Sequence, residues 1–159
     1  MVAISSGGVS QIYVDGSLAV RDAEITQLET LSLQELYLNN IEFISNLTNL
    51  ISVILRHNNI SDFSPLKNLP KLTDLSIGYN NIDDQALTSL IGLNNLETLG
   101  LDNNSITNLS PLVELAKLKS IDLSVNSVED INPLTKLVEL THLYLIDNHI
   151  AKLPPANVI

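Results

Sequence analysis

The chain has no cysteine and no tryptophan, one methionine, and only 4% aromatic residues. Without cysteine there can be neither disulfide caps nor thiol catalysis. Basic residues are scarce as well: 8 Lys and Arg stand against 18 Asp and Glu, for a formal net charge of −10. Phosphate backbones and anionic membrane surfaces call for clustered cations, so this balance argues against nucleic acid and lipid headgroups as partners. Long apolar runs are missing too; the apolar residues recur periodically, and no membrane span is expected. Met1-Val2-Ala3-Ile4-Ser5 has neither a basic start nor a long apolar core, so no export signal is visible. A cytoplasmic location is expected on that ground, with an extracellular one following if a signal has been removed. At 159 residues and 45% hydrophobic content, the chain is expected to form one domain, residues 1–159, with ample core.

What is present is a repeat. Asparagine recurs at Asn58, Asn80, Asn104, Asn126 and Asn148, at intervals of 22, 24, 22 and 22 residues. Each closes the same apolar phrase, for example Leu72, Leu75, Ile77, Asn80 and Leu96, Leu99, Leu101, Asn104. The phrase reads L-x-x-L-x-L-x-x-N, the signature of a leucine-rich repeat. Leucines two apart, such as Leu99 and Leu101, face the same side of a short strand. One repeat cannot bury that face alone, whereas stacked copies can. The asparagine falls where the chain leaves the strand, and its amide can both donate to and accept from the backbone of the turns above and below. Aspartate could only accept. The five asparagines are therefore assigned to structure.

After each asparagine the apolar spacing changes to threes, as in Ile60, Phe63, Leu66, Leu69 and Val128, Ile131, Leu134, Leu137. That spacing predicts a loose helical or turn-like return. Proline marks its start in Ser64-Pro65-Leu66, Ser110-Pro111-Leu112 and Asn132-Pro133-Leu134, where its missing N–H is harmless. The S-P-L phrase with the 22-residue period resembles the leucine-rich subclass shared by bacterial internalins and the regulatory subunit of protein phosphatase 1. The resemblance covers residues 50–153. It implies an α/β solenoid: a right-handed superhelix with a curved parallel sheet on the concave face and short helical or 3-10 turns on the convex face. The Asn80 repeat departs from the pattern, because Asp83-Asp84-Gln85 widens the step from Ile82 to Leu87, and a bulge or longer helix is expected there.

Residues 28–153 make about six to seven repeats, 1–27 an irregular lead-in and cap, and 154–159 a tail. Two registers fit the early part. One keeps an unbroken period, with Leu28, Leu31, Leu33, Leu38, Ile41, Ile44 and Leu47 inward and Leu36 in the ladder position. The other makes Leu33, Leu36 and Leu38 the strand and Leu18 and Val20 an earlier one; the likeness of Glu35-Leu36-Tyr37-Leu38-Asn39-Asn40 to later repeats favours it. A strand is expected at Ile12 to Val14 and cap structure near Leu18 to Ile25. At the other end nothing amphipathic follows Leu145 and Ile150, which leaves a folded-back tail, further protein, or end-to-end self-association to cover them.

Function should lie on the outward strand positions. Candidate partner-binding residues are Ile54, Arg56, Asp74, Tyr79, Asp102, Asp122, Val125, His142, Tyr144, Ile146 and Asp147. Asp102, Asp122 and Asp147 make the C-terminal half of this face acidic by expectation. Ile54, Tyr79, Val125, Tyr144 and Ile146 place apolar surface where water is expected, and tyrosine suits binding centres. The combination points to a protein or peptide partner of basic character. Ser120, Asp122 and His142 fall on adjacent strands facing one side, but no nucleophile elbow, oxyanion hole or enclosed pocket accompanies them, so an enzyme is not expected. His57 is far in repeat count from His142 and His149, and no calcium-loop motif occurs; no metal and no cofactor are implied. Two binding roles follow from the resemblance. One is an intracellular adaptor or regulatory subunit, favoured by the missing signal; the other is the repeat domain of a bacterial surface or secreted protein that binds a host or cell-surface target.

Overall fold

Six three-residue strands, one per repeat, align in parallel to form a single open sheet. They are β3 (Thr30–Ser32), β4 (Ser52–Ile54), β5 (Asp74–Ser76), β6 (Thr98–Gly100), β7 (Ser120–Asp122) and β8 (His142–Tyr144). The structure is a computed structural model, and it describes residues 2–4, 10–12 and 27–154. Near the N-terminus, β1 (Val2–Ile4) and β2 (Ser10–Ile12) form a separate antiparallel pair. Of the expected strand at Ile12 to Val14, Ile12 lies in β2; residues 13 and 14 and the expected cap near Leu18 to Ile25 lie outside the described residues.

Strand pairing settles the early register. Thr30 pairs with Ser52, Leu31 with Val53 and Ser32 with Ile54, each a full period apart. The strand over Leu33, Leu36 and Leu38 is not formed. Leu36 instead occupies the ladder position: Glu35 before it is left-handed, with φ of 57°, as His57 is before Asn58. The Leu36 amide donates to Asn58 Oδ1 at 3.2 Å, so the same turn forms with an apolar side chain in the asparagine's place. The proposed earlier strand at Leu18 and Val20 lies outside the described residues.

Alternation explains the interior. Leu31, Val53, Leu75, Leu99 and Ile121 stack in one buried column, and Leu33, Leu55, Ile77, Leu101 and Leu123 in a second. The returning segments close the other wall with short 3-10 turns at Glu42–Asn46, Ser64–Asn68, Thr88–Leu90, Ser110–Leu112 and Asn132–Lys136. Pro65, Pro111 and Pro133 occupy the first turns, where no intrahelical donor is needed. Four of these turns begin with an Asx turn: Asn40, Asp62, Asn108 and Asp130 each accept a hydrogen bond from the amide two residues on, at 2.7–2.9 Å. In the lengthened repeat the extra residues form α1 (Asp84–Leu87), capped by Asp83, whose side chain accepts from the Ala86 amide at 2.8 Å. Asp84 turns to the next repeat and accepts from the amides of Thr107 and Asn108.

The asparagine ladder is directional. Asn126 Oδ1 accepts from the Ile106 amide at 3.0 Å, while its Nδ2 donates to the carbonyls of Leu101 and Leu123 at 3.0 Å each. Asn58, Asn80, Asn104 and Asn148 repeat the arrangement. Among the described residues, every inter-repeat bond of a ladder side chain runs to the preceding repeat, not to both neighbours as expected from sequence. Ladder bonds therefore cross each repeat boundary from Leu33 to Asn148 in one direction, and they help fix the parallel register that places the outward side chains.

Candidate functional site on the concave face

The outward residues fall into columns, because each strand is offset from the next by one repeat. Ile54, Ser76, Gly100, Asp122 and Tyr144 form one column. Arg56, Gly78, Asp102, Ser124 and Ile146 form the next, two residues further along each repeat. The residues just before the ladder asparagines, His57, Tyr79, Asn103, Val125 and Asp147, form a third, and all five are left-handed with φ between 54° and 57°.

Three of the candidate residues meet at one cluster. Arg56 Nη1 and Nη2 donate to Asp102 Oδ1 and Oδ2 at 2.5 and 2.7 Å, a bidentate pair that joins repeats two apart. Gly78 lies between them in the column and makes the reach possible. A Cβ there would stand 2.5 Å from Asp102 Oδ1 and 2.8 Å from Arg56 Nη1. Tyr79 flanks the pair: its ring stacks on His57 with centroids 4.0 Å apart, and Arg56 Cζ lies 5.4 Å from its centroid.

The pair changes the electrostatics expected of this face. Asp102 is only 7% exposed rather than open to a partner. Its burial alone would push the carboxyl up, but hydrogen bonds from Arg56 and Asn103, with the guanidinium charge, hold it below the usual carboxylate value. The hydrogen bond with Asp102 likewise raises Arg56 above its ordinary value, against a lowering by burial. Neither charge is free. The acidity of the face therefore rests on Asp74, Asp122 and Asp147, none of which joins an ion pair among the described residues.

Ile54, Asp74 and Asp122 line a shallow depression of about 300 Å³ over the sheet, floored by Ser52, Ser76 and Gly100. Asp74 accepts from the Thr73 hydroxyl at 2.7 Å, and Asp122 Oδ1 from the Ser124 amide at 2.9 Å. The remaining candidates, Val125, His142, Tyr144, Ile146 and Asp147, gather at the C-terminal end of the face. Val125 is 41% exposed, Tyr144 48% and Ile146 69%. His142 Nδ1 lies 2.9 Å from the Thr141 hydroxyl, and among the described residues no hydrogen bond links Ser120, Asp122 and His142 to one another.

Among the described residues the interior beside β8 is incompletely covered. Leu143, whose column is otherwise buried, is 38% exposed, and Leu134, Leu137, Val138, Leu140 and Pro154 surround an apolar hollow beside it. Gly78 and His57 are the participants that sequence reasoning left out of the site. The available signal was Arg56, Gly78 and Asp102 in one column, opposite charges with glycine between them.

A parallel sheet of short strands, an internal asparagine ladder and 3-10 returns define the class of stacked, leucine-rich repeat structures. A family model described as leucine-rich repeats in two copies matches residues 48–90 and 94–136, more than half of the chain. The chain belongs to the leucine-rich repeat family. Among solved structures it is similar to an internalin of Listeria monocytogenes, at 35% identity and a TM-score of 0.65 over 72% of this chain and 34% of that one. It is also similar to a leucine-rich repeat protein of Leptospira interrogans, at 29% identity and a TM-score of 0.62 over 70% of this chain and 29% of that one. The chain thus spans about a third of the length of each. Comparison with curated proteins returned no significant match. Proteins of this family are generally non-enzymatic modules for protein–protein interaction.

Proposed function

We propose that this chain is a non-enzymatic binding module that takes a basic protein segment or peptide on the C-terminal half of its concave face. The observation that carries the reading is the grouping of Val125, Tyr144 and Ile146, all exposed, with Asp122 and Asp147 beside them on one sheet face. Exposed apolar groups scattered singly mean little, whereas a set gathered on a concave surface and flanked by carboxylates that join no ion pair among the described residues matches the make-up of a recognition patch. The likeness to a Listeria internalin and a Leptospira leucine-rich repeat protein supports a setting as the repeat domain of a bacterial surface or secreted protein directed at a host or cell-surface target.

Short random peptides displayed on phage and selected on the wild-type chain test the reading. Enriched peptides are expected to be basic and to lose at least about tenfold in affinity for Tyr144→Ala/Ile146→Ala, the loss of roughly 1.4 kcal/mol that one good apolar contact supplies. An Ile91→Ser variant, altered at an exposed residue after the convex turn of Thr88–Leu90, should bind them unchanged. Equal binding by the wild type and the double variant would reject the concave face as the working surface.

A further inference from the structure

One member of the left-handed column is disfavoured by its own backbone. Val125 has φ of 56°, a region in which a β-branched side chain is crowded against the flanking peptide groups. The equivalent positions hold Glu35, His57, Tyr79, Asn103 and Asp147, none of them branched at Cβ. The position of Val125 in the stack does not account for its exposure, because repeats pack on both sides of it. Its amide donates to the Ile146 carbonyl at 2.7 Å, and its carbonyl accepts from the Asn104 amide at 3.3 Å.

We propose that Val125 is a specificity-determining anchor that completes an apolar seat with Tyr144 and Ile146 for an aliphatic side chain of a basic peptide. This rests on the concave-face reading above. Ser124 shares its column with Ile146 and adjoins in the chain Val125, whose amide donates to the Ile146 carbonyl. Asp122 and Asp147, free of ion pairs among the described residues, receive the cations on either side of the aliphatic group. Asparagine would relieve the backbone at this position, since it tolerates the left-handed region. Valine there trades stability for an apolar contact, the pattern found at binding sites that sit below their stability optimum.

The test compares Val125→Asn, Val125→Ile and Tyr144→Ala with the wild type, measuring Tm and the affinity of phage-selected peptides. Val125→Asn should raise Tm by about 2–4 °C through relief of strain and weaken the peptides at least about tenfold. Val125→Ile keeps the branch and the apolar contact, so it should leave both readings near wild type. A stability gain opposed to a binding loss is what a purely structural valine would not produce. If Val125→Asn raises Tm but binds unchanged while Tyr144→Ala does not, the face stands and Val125 is not its anchor. If Tm does not rise, the strain premise fails and the proposal with it. If neither Val125→Asn nor Tyr144→Ala affects binding, or no peptide is enriched, the concave-face reading fails and carries this proposal down.

Discussion

Removing either end of the Arg56–Asp102 pair should be costly, and unequally so. The Asp102 side chain is 10% exposed and the Arg56 side chain 27%. In Arg56→Ala the carboxylate stays in place with its hydrogen bond from Asn103 Nδ2 at 3.1 Å but no cation beside it. Breaking a buried pair in this way costs about 3–5 kcal/mol, and partial exposure of the site sets the expectation at the lower end, about 3 kcal/mol. In Asp102→Asn the shape is kept and the guanidinium can turn toward water, so the loss should be about 1–2 kcal/mol. Gly78→Ala acts without touching either charge. Its Cβ would lie 2.9 Å from the Asp102 backbone oxygen as well as against both side chains, and a backbone atom cannot swing aside, so about 2–3 kcal/mol is expected from overpacking and a displaced pair. Equilibrium urea unfolding followed by circular dichroism, with m-values checked for constancy, measures all three. Arg56→Ala/Asp102→Asn should fall short of the summed single losses by at least about 1 kcal/mol. Additivity within about 0.5 kcal/mol, or an Asp102→Asn loss larger than that of Arg56→Ala, would refute the pairing argument.

The ladder gives a sharper chemical contrast. Asn80→Asp is isosteric but turns a donor aimed at the carbonyls of Leu55 and Ile77, at 2.9 and 3.0 Å, into a charged acceptor. A loss of at least about 3 kcal/mol is expected in the same unfolding assay, and a loss below about 1 kcal/mol would count against the donor role. Stability should also fall in acid. The carboxyls of Asp62 and Asp130 are held low by the Ser64 and Asn132 amides, and those of Asp84 and Asp102 by hydrogen bonds that outweigh the upward push of burial. A depressed folded pKa contributes stability that is complete above the unfolded value and disappears as pH falls through the folded one. The melting temperature should therefore hold down to about pH 4 and drop below it, and a flat profile from pH 5 to pH 2 would contradict these assignments.

Most of the fold is legible in the sequence because its determinants are local and repeated. The leucine spacing places the strands, the asparagines mark where the chain turns away, and Asp83-Asp84-Gln85 announces the helix that replaces a tighter turn. The register before Asn58 is misread for a physical reason. Leu36 lacks the amide that identifies the ladder, yet its backbone performs the turn by donating to Asn58 from the next repeat. Local likeness around Glu35 to Asn40 then competes with the long-range period, and the period prevails because parallel pairing fixes all strands together. The direction of the ladder is likewise invisible until the repeats are stacked. At the site, the columns follow from the period, so the sequence identifies which residues share the face. It does not reveal that Asp102 is neutralised, because that depends on an absent side chain at Gly78 and on the reach of Arg56 across a whole repeat. Nor does a residue list show that Val125 adopts a backbone that valine disfavours.

Amide chemical-shift mapping of a phage-selected peptide on the wild-type chain tests the concave face most directly. Perturbations should concentrate at residues 120–126 and 142–147, strongest around Ser124, Val125 and Ile146. Perturbations centred instead on the 3-10 turns at 64–68, 110–112 and 132–136, or on the apolar hollow around Leu137 and Leu140, would contradict the account.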